Sequence, residues 1–415
     1  MRSSREPRVS PNVIEGLRNA RLRGRKGLCD IALDHDGRIR TVGPRIRPAK
    51  GGRVLDAEGG LVVPSFVDSH LHLDLAYSLD VVKPNRSGTL LEAIRHWDEA
   101  KRRMKPADVR DRAIRAIHEE VQFGTGRIRT HVDVGTSAGL RLAEGVLAAR
   151  EACRHLADIQ VVVFPQDGIL RDPGAFEQMR AALDMGCDLV GGIAHHERTE
   201  DDSQRHIEML FDLAEEFDAD IDCHIDETDD PYSRCTEYLA AMTIEHGWQG
   251  RVTASHVCAL ASYGHVHARK VIDLLRQARV HVVTNPGVNL HLQGRCDRYP
   301  KRRGLTRVRE LLEAGVNVAA GQDCIRDPFY PFGTGQMLEV AHLLAHADHL
   351  STPGQIEQVM DAITVNGARA QRLRDYGVRP GCRADLVVLP VSDAHEAIRL
   401  RPRPRCVLKA GRLIA

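Results

Sequence analysis

Eight short runs rich in β-branched residues alternate with amphipathic stretches through most of this 415-residue chain, and few folds accommodate that rhythm. The runs are LVVPSFVDSHLH (61–72), GRIRTHVDV (126–134), IQVVVFP (159–165), LVGGI (189–193), ADIDCHID (219–226), RVTASHV (251–257), HVVTNPGVN (281–289) and VNVAAGQDC (316–324). Between them, segments such as LLEAIRHWDEAKRRM and SQRHIEMLFDLAEEF place apolar residues near i, i+3 and i+4. Eight strand-then-helix units predict an α/β fold with a (β/α)8 barrel over residues 64–375. The two ends differ in texture. CDIALDHDGRIRTVG and GGRVLDAEGG near the start, and GCRADLVVLPVS and PRCVLKAGRLIA near the end, alternate over short spans broken by glycine turns. They predict one small sandwich of antiparallel strands built from residues 1–63 and 376–415.

In such a barrel the carboxyl ends of the strands share one mouth, so residues far apart in sequence become neighbours there. His70 and His72 end the first run, and the two-residue period of a strand points both the same way. Gln166 follows the third run, and His224, His256 and Asp323 lie at the ends of the fifth, sixth and eighth. Buried polar groups require partners, so a gathering of this kind indicates a shared one. Three imidazoles and a carboxylate suit a single Zn²⁺ or Fe²⁺ and leave a position for water, whose pKa coordination lowers from about 15.7 to about 7. His70, His72, His224 and Asp323 are therefore assigned as ligands, and His256 as a hydrogen-bond partner of the resulting hydroxide. Glu227, three residues past His224, is placed to move a proton from nucleophile to leaving group. Its neighbours Asp229 and Asp230 read as a solvated loop. His131 and Asp133 read as groups that orient neighbours, and His195, His196, His265 and His267 as supporting or surface residues.

Charge narrows the partner. Lys plus Arg (58) nearly cancels Asp plus Glu (57), so no broad field draws the chain to nucleic acid or an acidic membrane, and a small molecule is expected. The start, MRSSREPRVSPNVIEG, lacks a signal-peptide pattern and no run approaches the ~18 apolar residues of a membrane span, which predicts a cytoplasmic protein. Ten cysteines never form a C-x-x-C pair, against a thiolate zinc site or a disulfide framework. RYPKRRG after the seventh run reads as a solvated loop, with a lid or subunit contact as the alternatives.

The stretches SHLHLD, THVDV, VVFPQDGIL, DLVGGIAHHE, DIDCHIDETDD, RVTASHVCAL, NPGVNLHLQGRCDRYPKRRG and GQDCIRDPFYPFGTGQML, in register from about residue 15 to the end, resemble bacterial cytosine deaminase of the amidohydrolase superfamily. The resemblance implies a distorted (β/α)8 TIM barrel, one iron or zinc ion, and hydrolysis of a ring amine to a carbonyl with release of ammonia. Carried over, His70, His72, His224 and Asp323 match the metal ligands, Glu227 the proton shuttle and His256 the hydroxide partner. Gln166 matches the amide that reads the pyrimidine O2 and ring NH edge, Leu90 a pocket residue, and Phe329 stands where the family has tryptophan. Relatives with two metals carry a carbamylated lysine at the end of the fourth strand; LVGGIAHHE has none, so a single ion is expected. The P-C-x-x-C pattern of the other zinc deaminases is also missing, which favours a free base. Further copies of the chain are the one macromolecular partner expected.

One departure bears on the substrate. The family reads G-H-D-D where this chain has Gly321-Gln322-Asp323-Cys324. Cys324 thus replaces a carboxylate beside the ring with a small, weakly polar wall. Burying a methyl there is favourable by ~0.8 kcal/mol, whereas desolvating a carboxylate with it costs about 1 to 3 kcal/mol. The exchange predicts acceptance of 5-substituted cytosines, 5-methylcytosine above all. The alternatives are an aminohydrolase of a related ring (isocytosine, creatinine or an amino-triazine), or a catalytically silent barrel. The intact ligand set weighs against the last.

Overall fold

Parallel pairing from each strand to the next runs through eight strands of the computed structural model, which describes residues 13–44 and 53–415. These are β1 Phe66–Leu71, β2 Thr125–Asp133, β3 Asp158–Phe164, β4 Leu189–Val190, β5 Asp220–Ile225, β6 Val252–His256, β7 His281–Thr284 and β8 Val318–Ala320. The sheet closes beyond β8: the Asp323 amide donates to the His70 carbonyl (2.7 Å), the His72 amide donates to the Asp323 carbonyl (2.8 Å), and Leu71 and Asp323 form a parallel bridge. The chain is therefore a (β/α)8 barrel, as the alternating runs predict. Its helices bury one face each. His265–Ala278 turns Ala268, Val271, Ile272 and Leu275 inward, and Glu200–Phe217 does the same with Ile207, Leu210, Phe211 and Ala214. Thr199 caps the latter by accepting from the Asp202 amide, ahead of an acidic first turn that suits the helix dipole.

Two predicted strands are corrected. The run 61–72 is not one strand but two, broken after Pro64: Leu61–Pro64 pairs antiparallel with Leu386–Leu389 in a separate sheet, and the Ser65 amide donates to Asp385 before β1 begins. The run 281–289 stops at Thr284, because Pro286 takes the first turn of a helix, Pro286–Leu292, where its missing N–H costs nothing. Val288 and Asn289 are thus helical.

Two further four-stranded sheets lie outside the barrel. One orders Ile39–Gly43, Cys29–Leu33, Gly16–Ala20 and Val54–Asp56; the other orders Arg412–Leu413, Cys406–Lys409, Leu386–Leu389 and Leu61–Pro64. Not all these pairs are antiparallel as predicted, since Gly16–Ala20 runs parallel to Val54–Asp56. The two intervening strands supply the long crossover that parallel pairing requires. The pair Leu61–Pro64 and Leu386–Leu389 serves both cores. Leu61, Val63, Val387 and Leu389 face the barrel core while Val62, Leu386 and Val388 face the core of the small sheets, which is why both segments read as unbroken apolar runs. Among the described residues no helix is long and apolar enough to cross a membrane.

Barrel closure demands a glycine at 321, where an added Cβ would lie 2.7 Å from the His70 carbonyl oxygen and from Asn285 Oδ1. Gly321→Ala should therefore lower stability by about 1 to 3 kcal/mol and reduce bound metal with it. Gly354→Ala, on an exposed helical position with nothing within 4 Å, should leave metal content unchanged and raise stability by up to about 1 kcal/mol. Thermal melts with metal quantification check both.

Candidate active site

The strand ends bring the predicted groups into one cluster. His70 Nε2 and His72 Nε2 lie 3.2 and 3.0 Å from His224 Nε2, and Asp323 Oδ1 lies 3.8 and 3.7 Å from His70 Nε2 and His72 Nε2. Donors placed about 2.1 Å from an ion in a tetrahedron are about 3.4 Å apart, so this spacing fits one divalent cation. All four side chains are buried, and Asp323 Oδ2 has no hydrogen-bond partner among the described residues. Burial pushes the His72 imidazole down to about 3 and holds His70 and His224 well below the ordinary range, with neighbouring imidazoles adding to the effect. Neutral rings are the ligating form. Burial raises the Asp323 carboxyl, with Glu227 and Asp327 adding repulsion; a cation at the cluster would reverse that penalty.

His256 and Asp323 hold left-handed backbone angles (φ 73° and 68°), a strain of order 1 to 3 kcal/mol each that the hydrogen-bonded strand ends sustain. His256 Nδ1 receives the Asn289 amide (3.0 Å) and faces Glu227 Oε1 (3.4 Å), while its Nε2 lies 3.8 Å from Asp323 Oδ2. Burial pushes the Glu227 carboxyl up to about 8.

Behind the cluster a chain of polar groups sets one ring. Ser255 Oγ donates to Asp222 Oδ1 (2.9 Å) and so accepts from His70 Nδ1 (3.0 Å), which turns the lone pair of His70 Nε2 to the cluster. Asp222 Oδ2 accepts from the Arg129 guanidinium (2.8 Å), itself fixed by Thr253, Gln160 and the Ala370 carbonyl. Phe164 stacks flat on His224, with centroids 4.1 Å apart and 17° between planes. His131 lies against His70 at 4.1 Å, and neither of its nitrogens has a hydrogen-bond partner among the described residues.

A cavity of about 300 Å³ opens in front of these groups. His72, His224, Glu227, His256, Asp323, Gln166, Leu90, Cys324 and Phe329 all line it, and His70 lies just behind. Some residues read as peripheral are not. His195, His196 and Asp230 line the same cavity, and Asp229 accepts from the Gly294 amide (2.7 Å). The RYPKRRG stretch is docked rather than freely solvated: Arg302 donates to the Asp229 carbonyl and to Ser262, and Arg303 to the carbonyls of His346 and Ala347. Asp133 accepts from Trp97 and Lys101. His267 stands beside Glu237 on the outer helix His265–Ala278. Gln322 braces the following loop, donating to the Cys324 carbonyl and accepting from the Gly335 amide. Sequence reasoning missed Asn285 and Asn289 because their segment reads as strand, and missed Ser255 and Asp222 although Asp222 shares a strand face with His224.

A model of the amidohydrolase family matches residues 53–415. The chain belongs to that family. It is a hydrolase acting on C–N bonds, and its fold superimposes on 5-methylcytosine deaminase from Klebsiella pneumoniae, solved with 5-fluorocytosine, with a TM-score of 0.92 and 39% identity over 96% of this chain and 97% of that one. It is 33% identical over 407 residues to N-isopropylammelide isopropyl amidohydrolase of Pseudomonas sp. (strain ADP), covering 96% of both chains. It is 31% identical over 386 residues to the pterin deaminase of Rhizobium rhizogenes, covering 91% of this chain and 86% of that one. Their names differ in substrate, and hydrolysis at a C–N bond is what this amidohydrolase shares with them.

Ser255→Ala should free His70 to rotate and weaken divalent-metal binding by roughly 10- to 100-fold, read by chelator competition; unchanged affinity would show that the relay through Asp222 does not orient the ring.

Proposed function

We propose that this amidohydrolase deaminates a free cytosine-type base, accepts a 5-methyl group, and converts 5-methylcytosine and water to thymine and ammonia. The observation that carries the reading is the convergence of three imidazole nitrogens and the Asp323 carboxylate beside a cavity that Glu227, Gln166 and Cys324 also line. His70, His72, His224 and Asp323 would hold one divalent ion, zinc or iron. When bound, that ion supplies the Lewis acidity that makes water a nucleophile near neutral pH.

The remaining chemistry falls to the chain. The water oxygen adds to the ring carbon bearing the amine. Glu227 takes the water proton and delivers it to the ring nitrogen. The C–N bond then breaks as the second water proton, still on the added oxygen, passes to the amine, so that ammonia leaves and the ring carbonyl remains. Burial raises the Glu227 carboxyl while a cation held by the cluster would lower it, and the opposition would poise one group to accept and return a proton. Asn289 holds His256 Nδ1, so the ring keeps its orientation beside Asp323 as charge develops on the attacking oxygen. The Gln166 amide offers both a donor and an acceptor to the carbonyl and N–H edge of the base. Cys324, buried in the cavity wall, leaves apolar room for a 5-methyl group, and the 39% identity to a 5-methylcytosine deaminase supports that choice.

A second reading, removal of an alkylamine from a triazine ring, draws on the 33% identical relative and on a cavity of about 300 Å³, more than one six-membered ring fills. Release assays on the metal-loaded protein with cytosine, 5-methylcytosine, isocytosine, creatinine and N-isopropylammelide, scoring ammonia or amine, separate the two. We expect 5-methylcytosine to give the largest kcat/KM, and Cys324→Asp to lower its ratio over cytosine by roughly tenfold. An unchanged ratio removes Cys324 from the argument. Glu227→Gln should retain metal and lose at least roughly 100-fold in kcat.

A further inference from the structure

We propose that Lys101 is a positioning residue that sets the width of the substrate cavity by cross-linking two of its walls. The proposal rests on the functional reading only in taking this cavity as the place where the base binds. Lys101 ends the helix Leu90–Lys101 and is fully buried. Its Nζ donates to Asp133 Oδ2 at the end of β2 (2.9 Å) and to Asp167 Oδ2 (2.6 Å), the residue after Gln166. The same helix carries Leu90 and Ile94 to the cavity, which the loop after β3 also lines with Gln166. One ammonium therefore ties the helix that carries Leu90 and Ile94 to the loop that carries Gln166.

The other attachments of the helix explain why this bond governs its placement. Trp97 Nε1 shares the Asp133 oxygen (3.0 Å), and ahead of the helix Asn85 donates to the Pro328 carbonyl (3.2 Å), next to Phe329. The contact to Phe329's loop fixes the helix start, and Lys101 fixes its end against β2 and the β3 loop. A buried cation persists only where its partners are fully engaged, so the ion triad tolerates one helix position and resists sliding. The groups assigned to the chemistry stand on β1, β5, β6 and the segments following β1, β5 and β8, and Lys101 bonds to none of them. Its loss should therefore loosen the grip on the ring and leave the chemical step intact.

The test uses full-length, metal-loaded protein carrying Lys101→Met, Asp167→Ala, or both. Asp167→Ala leaves Lys101 paired with Asp133, so this variant retains a compensated buried charge if Lys101→Met fails to fold. On whichever ring substrate the wild type turns over, we expect KM to rise roughly tenfold in each single variant, with kcat within about twofold and metal content unchanged. The double variant should be no worse than Lys101→Met alone, since both changes break one link. An unchanged KM, a fall in kcat at constant KM, or additive losses would overturn the positioning role while leaving the functional reading in place. A wild type inert toward every ring substrate would overturn the functional reading first, and this proposal with it.

Discussion

Closure of the barrel and assembly of the site are one set of hydrogen bonds. Asp323 reaches across to the backbone on either side of Leu71, bonding the His70 carbonyl and the His72 amide. The last strand segment can dock on the first only by delivering the Asp323 carboxylate beside the two imidazoles that flank the joint. Gly321 allows the backbones to approach closely enough for this, and the left-handed turn at Asp323 directs the side chain to the mouth. Fold stability and donor geometry are thereby coupled, because displacing either edge of the joint moves His70, His72 and Asp323 as well as strands.

The interior carries an unusual load of ionisable groups, each made tolerable by a specific arrangement. Arg129 is buried in the barrel beneath the cluster and neutralises Asp222, which through Ser255 orients His70. Asp68 accepts from the His70 and Gln322 amides, so a carboxyl also braces the first and last strands. At the opposite end Arg127, Arg383 and Lys409 meet Asp158 and Asp385, linking the barrel floor to the small sheets. Removing one member of such a set leaves its partner charged and dry, which costs more than the bond itself.

The sequence made the barrel and its mouth legible because two patterns coincide there: β-branched runs recur with helix-period segments between them, and several of the runs end on histidine or aspartate. His70 and His72 declare their shared face by spacing alone, and Glu227 by its place just past His224. What was hidden depends on contacts between elements. Asn285-Pro286 looks like the continuation of a strand until the proline is seen to start a helix, and only then do Asn285 and Asn289 face His256. Lys101 sits in a charged run, EAKRRM, whose Glu99, Arg102 and Arg103 face solvent; helical spacing puts it on the face of Ala93 and Trp97, but its charge hides that until the packing of the helix on β2 supplies a partner. The strand at 54–56 is legible in GGRVLDAEGG but its parallel direction is not, because strand direction follows from the path of the connecting chain and not from the residues of the strand itself.

Anomalous diffraction from metal-loaded crystals, collected on either side of the zinc and iron edges, tests the central arrangement most directly. The account predicts one peak per chain within bonding distance of His70 Nε2, His72 Nε2, His224 Nε2 and an Asp323 oxygen. A peak among His70, His131 and Asp222 instead, which also lie close enough together to share an ion, or no peak at all in fully loaded protein, would contradict it.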